Sequence, residues 1–475
     1  MKHIVVIGGG IAGLSAAYYI QKHSLAAGNS IRLTVLEAEA RWGGKILTER
    51  VGGFVIEGGP DTFLATKPWG VALCNELGLG ERLHGTNPHQ KNTYVLHKGR
   101  LQPLPDGLAL MIPTNIRAIL QSRLLSLPQK ARMGMDFLLP ARPIDGDESL
   151  GSFVSRRLGR AAYENLIEPL MSGIYAGDGD ALSLASTFPY LRDLETRHGS
   201  LARGALEMQR SMRRRMTPDG RTAPGSRSAF LTPTTGLAEL VEAIIAYLAR
   251  SGVDLRQNTI ATRLERGGTG FVVEIEQGAC LEAEAVILAA PAYASGSLLA
   301  SLDSSLAEVL RSIPYVSTAT VSLAYQMTDV PRPLDGYGYV IPRREGRRAL
   351  ACTWTSTKFP HRAPAECALL RVFIGRAGQE NSIPWEKTGL LEIARQEMAL
   401  TLGITAEPLL SRVFVWERAM PQYNLGHPEK LARIEAILRE YPGLAVAGNG
   451  YRGIGIPDCI HSGELAAGKI LASEF

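Results

Sequence analysis

The chain lacks any run of about 18 or more consecutive apolar residues, which argues against a membrane-spanning helix. Cysteine is scarce. The five present, Cys74, Cys280, Cys352, Cys367 and Cys459, show no C-x-x-C spacing, which argues against a zinc site or a disulfide framework and fits the reduced thiols of a cytoplasmic protein. A strong charge of one sign is missing as well. The net +5 is too small to indicate nucleic-acid binding by itself. The nine histidines are scattered, and no Ser/His/Asp, Cys/His or metal-ligating constellation is visible. There is no internal repeat and no low-complexity segment. The opening residues, MKHIVV, enter a strand pattern at once and leave no room for a signal peptide.

What is present belongs to an ordinary globular protein. The 475 residues, 45% hydrophobic and 20% charged, allow two or three domains with a sizeable core. The most informative stretch is the first. Lys2 to Ile7 reads as an apolar strand running into GGGIAGLSAAYYI, where Gly8, Gly10 and Gly13 satisfy GxGxxG ahead of an Ala-rich helix. One glycine makes the tight turn, one lets backbone N–H groups approach a pyrophosphate, and one lets helix and strand pack closely. A second strand ends at Glu37, an acid suited to a ribose diol and unsuited to a 2′-phosphate. Just beyond it, Arg41, Gly43, Gly44 and Lys45 form R-W-G-G-K, a second loop able to close over a long, buried pyrophosphate, as a permanently held flavin requires.

The nucleotide signals recur downstream. Near residues 230–290 a turn, TPTTGL, precedes a helix, AELVEAIIAYLARSG, and strand patterns that close on AEAVILAAP, a buried strand of a parallel sheet. GLAVAGNGYRGIGIPDCIHSGELAAGKIL again shows strand, Gly-rich turn and helix, with Pro457 at the helix start and Asp458 in its first turn. The expected fold is α/β with α+β insertions: a discontinuous Rossmann-like nucleotide-binding domain over 1–79, 216–299 and 426–475. A largely helical insertion over 80–215 and a mixed-sheet insertion over 300–425 fill the gaps.

Two glycine-bearing segments invite a ligand. Gly58, Gly59 and Pro60, followed by Asp61 and Thr62, form either a plain turn or a close backbone approach to a flat ring. In MSGIYAGDGD, Gly173 and Gly177 flank Ile174 and Tyr175 and mark either a helix C-cap or a surface for a large planar ligand. An arginine cluster, Arg210, Arg213, Arg214, Arg215, Arg221 and Arg227, reads as a solvated loop or as an attractor of an anionic membrane, acidic partner or carboxylate-bearing substrate.

ESLGSFVSRRLG, ENLIEPLMSGIYAGD, LSLASTFP, GYGYVIPR, ACTWTSTKFPH, LLRVFIGRAG, MPQYNLGH and GIGIPDCIHSG together resemble the FAD-dependent porphyrinogen oxidases of haem synthesis, within the flavin amine-oxidase superfamily. The resemblance spans essentially the whole chain. It is greatest to the soluble type of monoderm bacteria, which acts on coproporphyrinogen III. Protoporphyrinogen IX oxidases share nearly all these motifs, and an amine oxidase or carotenoid desaturase is the more distant alternative. The resemblance implies a six-electron oxidation of a tetrapyrrole to a porphyrin by hydride transfer to flavin N5, with dioxygen reduced to hydrogen peroxide and no catalytic side chain.

Residue by residue, the resemblance implies FAD contacts at Gly8, Gly9, Gly10, Ile11, Ala12, Gly13, Glu37, Ala38, Lys45, Gly59, Pro60, Asp61, Thr62, Ala261, Trp416, Ile454, Gly455 and Ile456. It puts Lys67, Gly173, Ile174, Tyr339 and Phe373 in the substrate pocket, Lys67 meeting a propionate. Phe373 stands where a close relative has tyrosine, and Ala261 where relatives usually have valine. Also implied are FAD binding by the discontinuous domain over 1–79, 216–299 and 426–475, substrate binding by the domain over 300–425, a cytoplasmic location, peripheral membrane contact of the helical domain over 80–215, and hand-over to other haem-pathway enzymes. No metal and no nucleic-acid partner are expected.

Overall fold

The computed structural model describes residues 2–109, 112–113, 115–142, 146–215, 228–268 and 270–472. They divide into two compact units: 1–85 with 229–315 and 427–475, and 86–228 with 316–426.

The first unit is built on five parallel strands in the spatial order Asp254–Arg256, Ile31–Leu36, Lys2–Ile7, Ala285–Leu288, Leu444–Val446. Alternation along Lys2–Ile7 assigns its side chains to two cores. Ile4 and Val6 join Leu33 and Val35 beneath the helices Ile11–Ala26, Ala238–Arg250 and Ile456–Ala472. Val5 and Ile7 join Leu36 on the other face, under Ala292–Leu298, Ser304–Arg311 and His427–Leu438. Coverage on both faces explains why these strands read as continuous apolar runs. Strand order reverses at Lys2–Ile7, which opens the crevice typical of such sheets beyond its carboxyl end. The segment VDLRQNTIATRLER, read as one strand pattern, is two. Asp254–Arg256 joins the parallel sheet, and Ala261–Gly267 joins a separate antiparallel sheet after a break at Asn258, which has a φ of 50°.

The second unit carries a seven-stranded sheet ordered Leu410–Pro421, Tyr315–Gln326, Cys367–Ile374, Ala349–Trp354, Gly336–Val340, Asn92–His97, Arg100–Pro103. Its first face packs on the helix Lys387–Leu402. Residues 92–103 correct the expectation of a largely helical insertion. They form a hairpin whose two-residue turn, Lys98–Gly99, has positive φ at both positions, the conformation that matches strand twist. The helical part is also more broken than its pattern suggests. Ile116–Gln121 and Leu127–Gly134 are separated by a stop, and the second starts on a capping box of Ser126 and Gln129. A fully buried pair, Arg157 Nε to Asp136 Oδ1 at 2.5 Å, ties the helix Leu150–Leu158 to the turn Met135–Phe137.

Candidate active site

The glycine turn follows Lys2–Ile7 directly. Gly8, with φ of 112°, donates its N–H to the Leu36 carbonyl at 2.8 Å. A Cβ on Gly8 would stand 2.8 Å from the Ala289 backbone, one on Gly9 would overlap the Trp42 ring, and one on Gly13 would overlap the Gly8 carbonyl oxygen. Protein packing thus demands three of these glycines. Gly10 is different. Its backbone is extended (φ −72°, ψ 173°), and an added Cβ would meet only Gly44 Cα, at 3.9 Å. Among the described residues no atom needs that space, whereas a phosphate approaching the N-terminus of Ile11–Ala26 does. Ile11 and Ala12 are buried in the first turn of that helix.

The R-W-G-G-K loop lies against this turn. Gly43 donates to the Gly9 carbonyl at 2.8 Å, a bridge joins Gly43 to Gly10, and both Gly43 and Gly44 have positive φ. Half-buried Lys45 follows. Burial holds its ammonium below the usual lysine value, and among the described residues no carboxylate forms an ion pair with it. An anionic phosphate would compensate that loss of water.

Glu37 is buried at the end of Ile31–Leu36 and already holds two amides: Gly9 N–H donates to its Oε2 at 2.7 Å and Glu39 N–H to its Oε1 at 2.8 Å. Each carboxylate oxygen retains a lone pair for a ribose hydroxyl. Ala38 beside it is exposed. Thr259 donates to the Glu37 carbonyl at 2.9 Å, which brings the chain leading into Ala261 to the same strand end. Gly59, Pro60, Asp61 and Thr62 are half-buried, with the Thr62 hydroxyl donating to Asp61 at 3.1 Å. Residues Ile454 and Gly455 enter the helix Ile456–Ala472, which packs on Ile11–Ala26 so closely that a Cβ on Gly463 would overlap the Ala12 carbonyl. These groups fit a dinucleotide: glycine-lined room at a helix N-terminus, a desolvated cation and a ribose-ready carboxylate.

Lys67, expected to meet a propionate, has a partner within the protein. Its Nζ lies 2.6 Å from both oxygens of Asp458, whose Oδ2 also accepts from Gly455 N–H at 3.2 Å. Its charge is therefore balanced within the first unit. Asp458 was visible in the sequence only as a first-turn acid, because nothing in a linear pattern pairs positions 391 residues apart.

In the second unit, Gly173 and Ile174 lie on the helix Glu168–Tyr175. A Cβ on Gly173 would meet only Val340, at 3.9 Å. Val340 and half-buried Phe373 pack around Ala176, Leu350 and Ala351 on the same sheet face, and Ile174 is 46% exposed. Tyr339 is not among them. Strand alternation turns its side chain to the opposite face, where its hydroxyl donates to buried Glu397 at 3.1 Å and burial raises both pKa values. A pocket role for the Tyr339 ring is therefore corrected to a core role. Trp416 is half-buried in Leu410–Pro421 of this unit. In the arginine cluster, Arg210 pairs with Glu207 at 3.7 Å. The side chains of Arg213, Arg214 and Arg215, and all of Arg221 and Arg227, lie outside the described residues.

Residues 11–471 match the family described as flavin containing amine oxidoreductase. The coproporphyrinogen III oxidase of Bacillus subtilis (strain 168) is 38% identical over 478 residues, covering 100% of this chain and 99% of that protein. The chloroplastic protoporphyrinogen oxidase of Oryza sativa subsp. japonica is 30% identical, covering 98% and 87%. A crystal structure from Exiguobacterium sp. 255-15, provisionally named a protoporphyrinogen oxidase, superimposes with a TM-score of 0.85 at 33% identity over 99% of this chain and 98% of that one. A glycine turn whose spare room suits a phosphate and a helix face over the apolar Val340–Phe373 cluster sit in a chain that matches these proteins from end to end. It belongs to the flavin-containing amine oxidoreductases, among the porphyrinogen oxidases of that family.

Proposed function

We propose that the protein is an FAD-dependent oxidase that converts coproporphyrinogen III to coproporphyrin III with dioxygen as acceptor. The full-length likeness to the Bacillus subtilis enzyme carries this reading. FAD, when bound, supplies the hydride acceptor. The chain's own residues bind and orient. Gly8 to Gly13 and Lys45 hold the pyrophosphate, Glu37 and Ala38 the ribose end, Ala261 the adenine, and Gly59 to Thr62, Trp416 and Ile454 to Ile456 the remainder. Gly173, Ile174, Val340 and Phe373 offer an apolar, side-chain-poor surface for the flat faces of a tetrapyrrole. In this reading the first unit, 1–85 with 229–315 and 427–475, is the FAD-binding domain, and the second, 86–228 with 316–426, carries the substrate face.

No helix among the described residues is long and apolar enough to cross a membrane. Peripheral contact is supported by Leu120, Leu127 and Leu138, exposed at 58%, 77% and 83%. Arg117, Arg123, Lys130, Arg132 and Arg142 accompany them, and the acid of this stretch, Asp136, is buried in its pair with Arg157. Flotation with anionic but not neutral vesicles, abolished by Leu127→Asp with Leu138→Asp, is the expected outcome.

For the reaction itself, chemically reduced coproporphyrinogen III is added to the FAD-loaded protein and porphyrin fluorescence is followed with peroxide release. About three peroxides per porphyrin are expected, one for each hydride accepted, together with a higher kcat/KM than for protoporphyrinogen IX. A reversed preference would move the assignment to protoporphyrinogen IX. No porphyrin from either substrate would sink the reading.

A further inference from the structure

The turn that ends the helix Glu168–Tyr175 is held in an unusual way. Ala176 caps it in the left-handed region, with φ of 49° and ψ of 26°, a conformation that crowds the Cβ of any L residue other than glycine. Each carbonyl around this cap is gripped from the sheet side. Gln422 Nε2 donates to the Tyr175 carbonyl at 2.9 Å, Ala377 N–H to that of Ala176 at 2.7 Å, and Arg343 Nη2 to that of Gly177 at 3.3 Å. Arg343 does more than this. Its Nη1 donates to the Ala377 carbonyl at 2.9 Å, and its own N–H donates to Glu168 Oε2 at 3.0 Å, at the opposite end of the same helix. Glu168 is 5% exposed, with the guanidinium of fully buried Arg376 at 3.7 Å from its other oxygen. Arg376 is in turn fixed by the carbonyls of Ile341 and Ala349, at 3.1 and 3.3 Å. Both ends of a two-turn helix are therefore tied to the strands that carry Val340 and Phe373.

We propose that Arg343, with Glu168, is a positioning clamp: it sets the height of Gly173 and Ile174 over the Val340–Phe373 face and thereby the affinity for the tetrapyrrole. The role in affinity rests on the function proposed above. The clamp itself does not. A helix face displaced by a fraction of an ångström changes the gap into which a flat ring fits and forfeits much of the van der Waals contact with it, which weakens binding.

The test compares Arg343→Met, Arg343→Lys and the double variant Arg343→Met with Ala176→Gly, all as FAD-loaded proteins. Arg343→Met is expected to raise KM for coproporphyrinogen III about tenfold while kcat and bound flavin stay within about twofold. Arg343→Lys recovers part of the loss by keeping a cationic donor and serves as the reading should the Met variant not fold. The glycine double variant also recovers part, because glycine adopts the left-handed cap unaided. Hydrogen exchange of amides 172–178, which needs no substrate, should rise about tenfold in Arg343→Met. Unchanged exchange overturns the clamp. Raised exchange with unchanged KM overturns its role in substrate affinity. Raised exchange in a protein whose unmodified form makes no porphyrin leaves the clamp standing and removes the proposed function instead.

Discussion

Gly10 and Gly13 sit three residues apart in one turn, yet replacing each by alanine should break different things. At Gly13 the new methyl overlaps the Gly8 carbonyl oxygen and lies 3.0 Å from Ala289 Cβ, so the helix Ile11–Ala26 must move off its strand. Overpacking of this kind costs about 1–3 kcal/mol, and at about 2–4 °C per kcal/mol for a unit of this size the flavin-free protein should melt measurably lower. At Gly10 the methyl finds only Gly44 Cα at 3.9 Å, on extended backbone that alanine adopts freely. The flavin-free protein should lose no more than about 1 kcal/mol, the usual N-cap difference between glycine and alanine. The same methyl stands between the helix N-terminus and any phosphate. Loss of one or two charge-assisted hydrogen bonds, at about 1.5–3 kcal/mol each, predicts FAD retention weaker by at least about tenfold. The ratio of flavin to protein absorbance after gel filtration reads the second effect, and melting of the stripped protein reads the first. If Gly10→Ala keeps its full flavin, the argument that this room exists for a phosphate is wrong.

Glu37→Ala should cost more than the ribose contact alone, because Gly9 and Glu39 N–H groups lose their acceptor. Titration of stripped protein with FAD should show weaker binding by about 1.5–3 kcal/mol, accompanied by a lower melting temperature in the flavin-free state. Lys67→Met should leave the largely buried Asp458 carboxylate without its cation at the Ile454–Ile456 segment. Melting and flavin content should therefore both fall, whereas unchanged flavin with a narrowed substrate preference would restore Lys67 to a purely substrate role. Acid should loosen the second unit through Glu195. Burial pushes its pKa up, but hydrogen bonds and charge from Arg156 outweigh that and hold it below the ordinary carboxylate value. A depressed folded-state pKa gives stability that is present above the unfolded value and lost as pH falls through the folded one. Melting temperatures between pH 6 and pH 3 should drop less steeply in Glu195→Gln, starting from a lower value at pH 6.

The parts of this protein that were legible in its sequence are those whose determinants are local. Lys2–Ile7, the glycine turn and Ile11–Ala26 lie within one short stretch, and each residue's job there follows from spacing alone. The hairpin 92–103 was equally local, and Lys98–Gly99 between YVLH and RLQP was its turn signal, hidden by the helical pattern on its C-terminal side. Tyr339 marks a different limit. In GYGYVIP the two tyrosines alternate with glycine and valine, so the pattern places Tyr339 and Val340 on opposite faces without saying which face meets a ligand. That choice is made by Glu397, on a helix some 60 residues away, which accepts from the Tyr339 hydroxyl and from that of Thr401 in the core, so that Val340 turns toward Gly173. Glu37 and Lys67 show the same limit with charge. In the linear pattern each points at a ligand, because its partners, Gly9 and Asp458, lie elsewhere in the chain. A charged residue in a ligand-binding loop is thus shared between holding the loop and holding the ligand, and only substitutions that separate flavin content from stability can apportion the two.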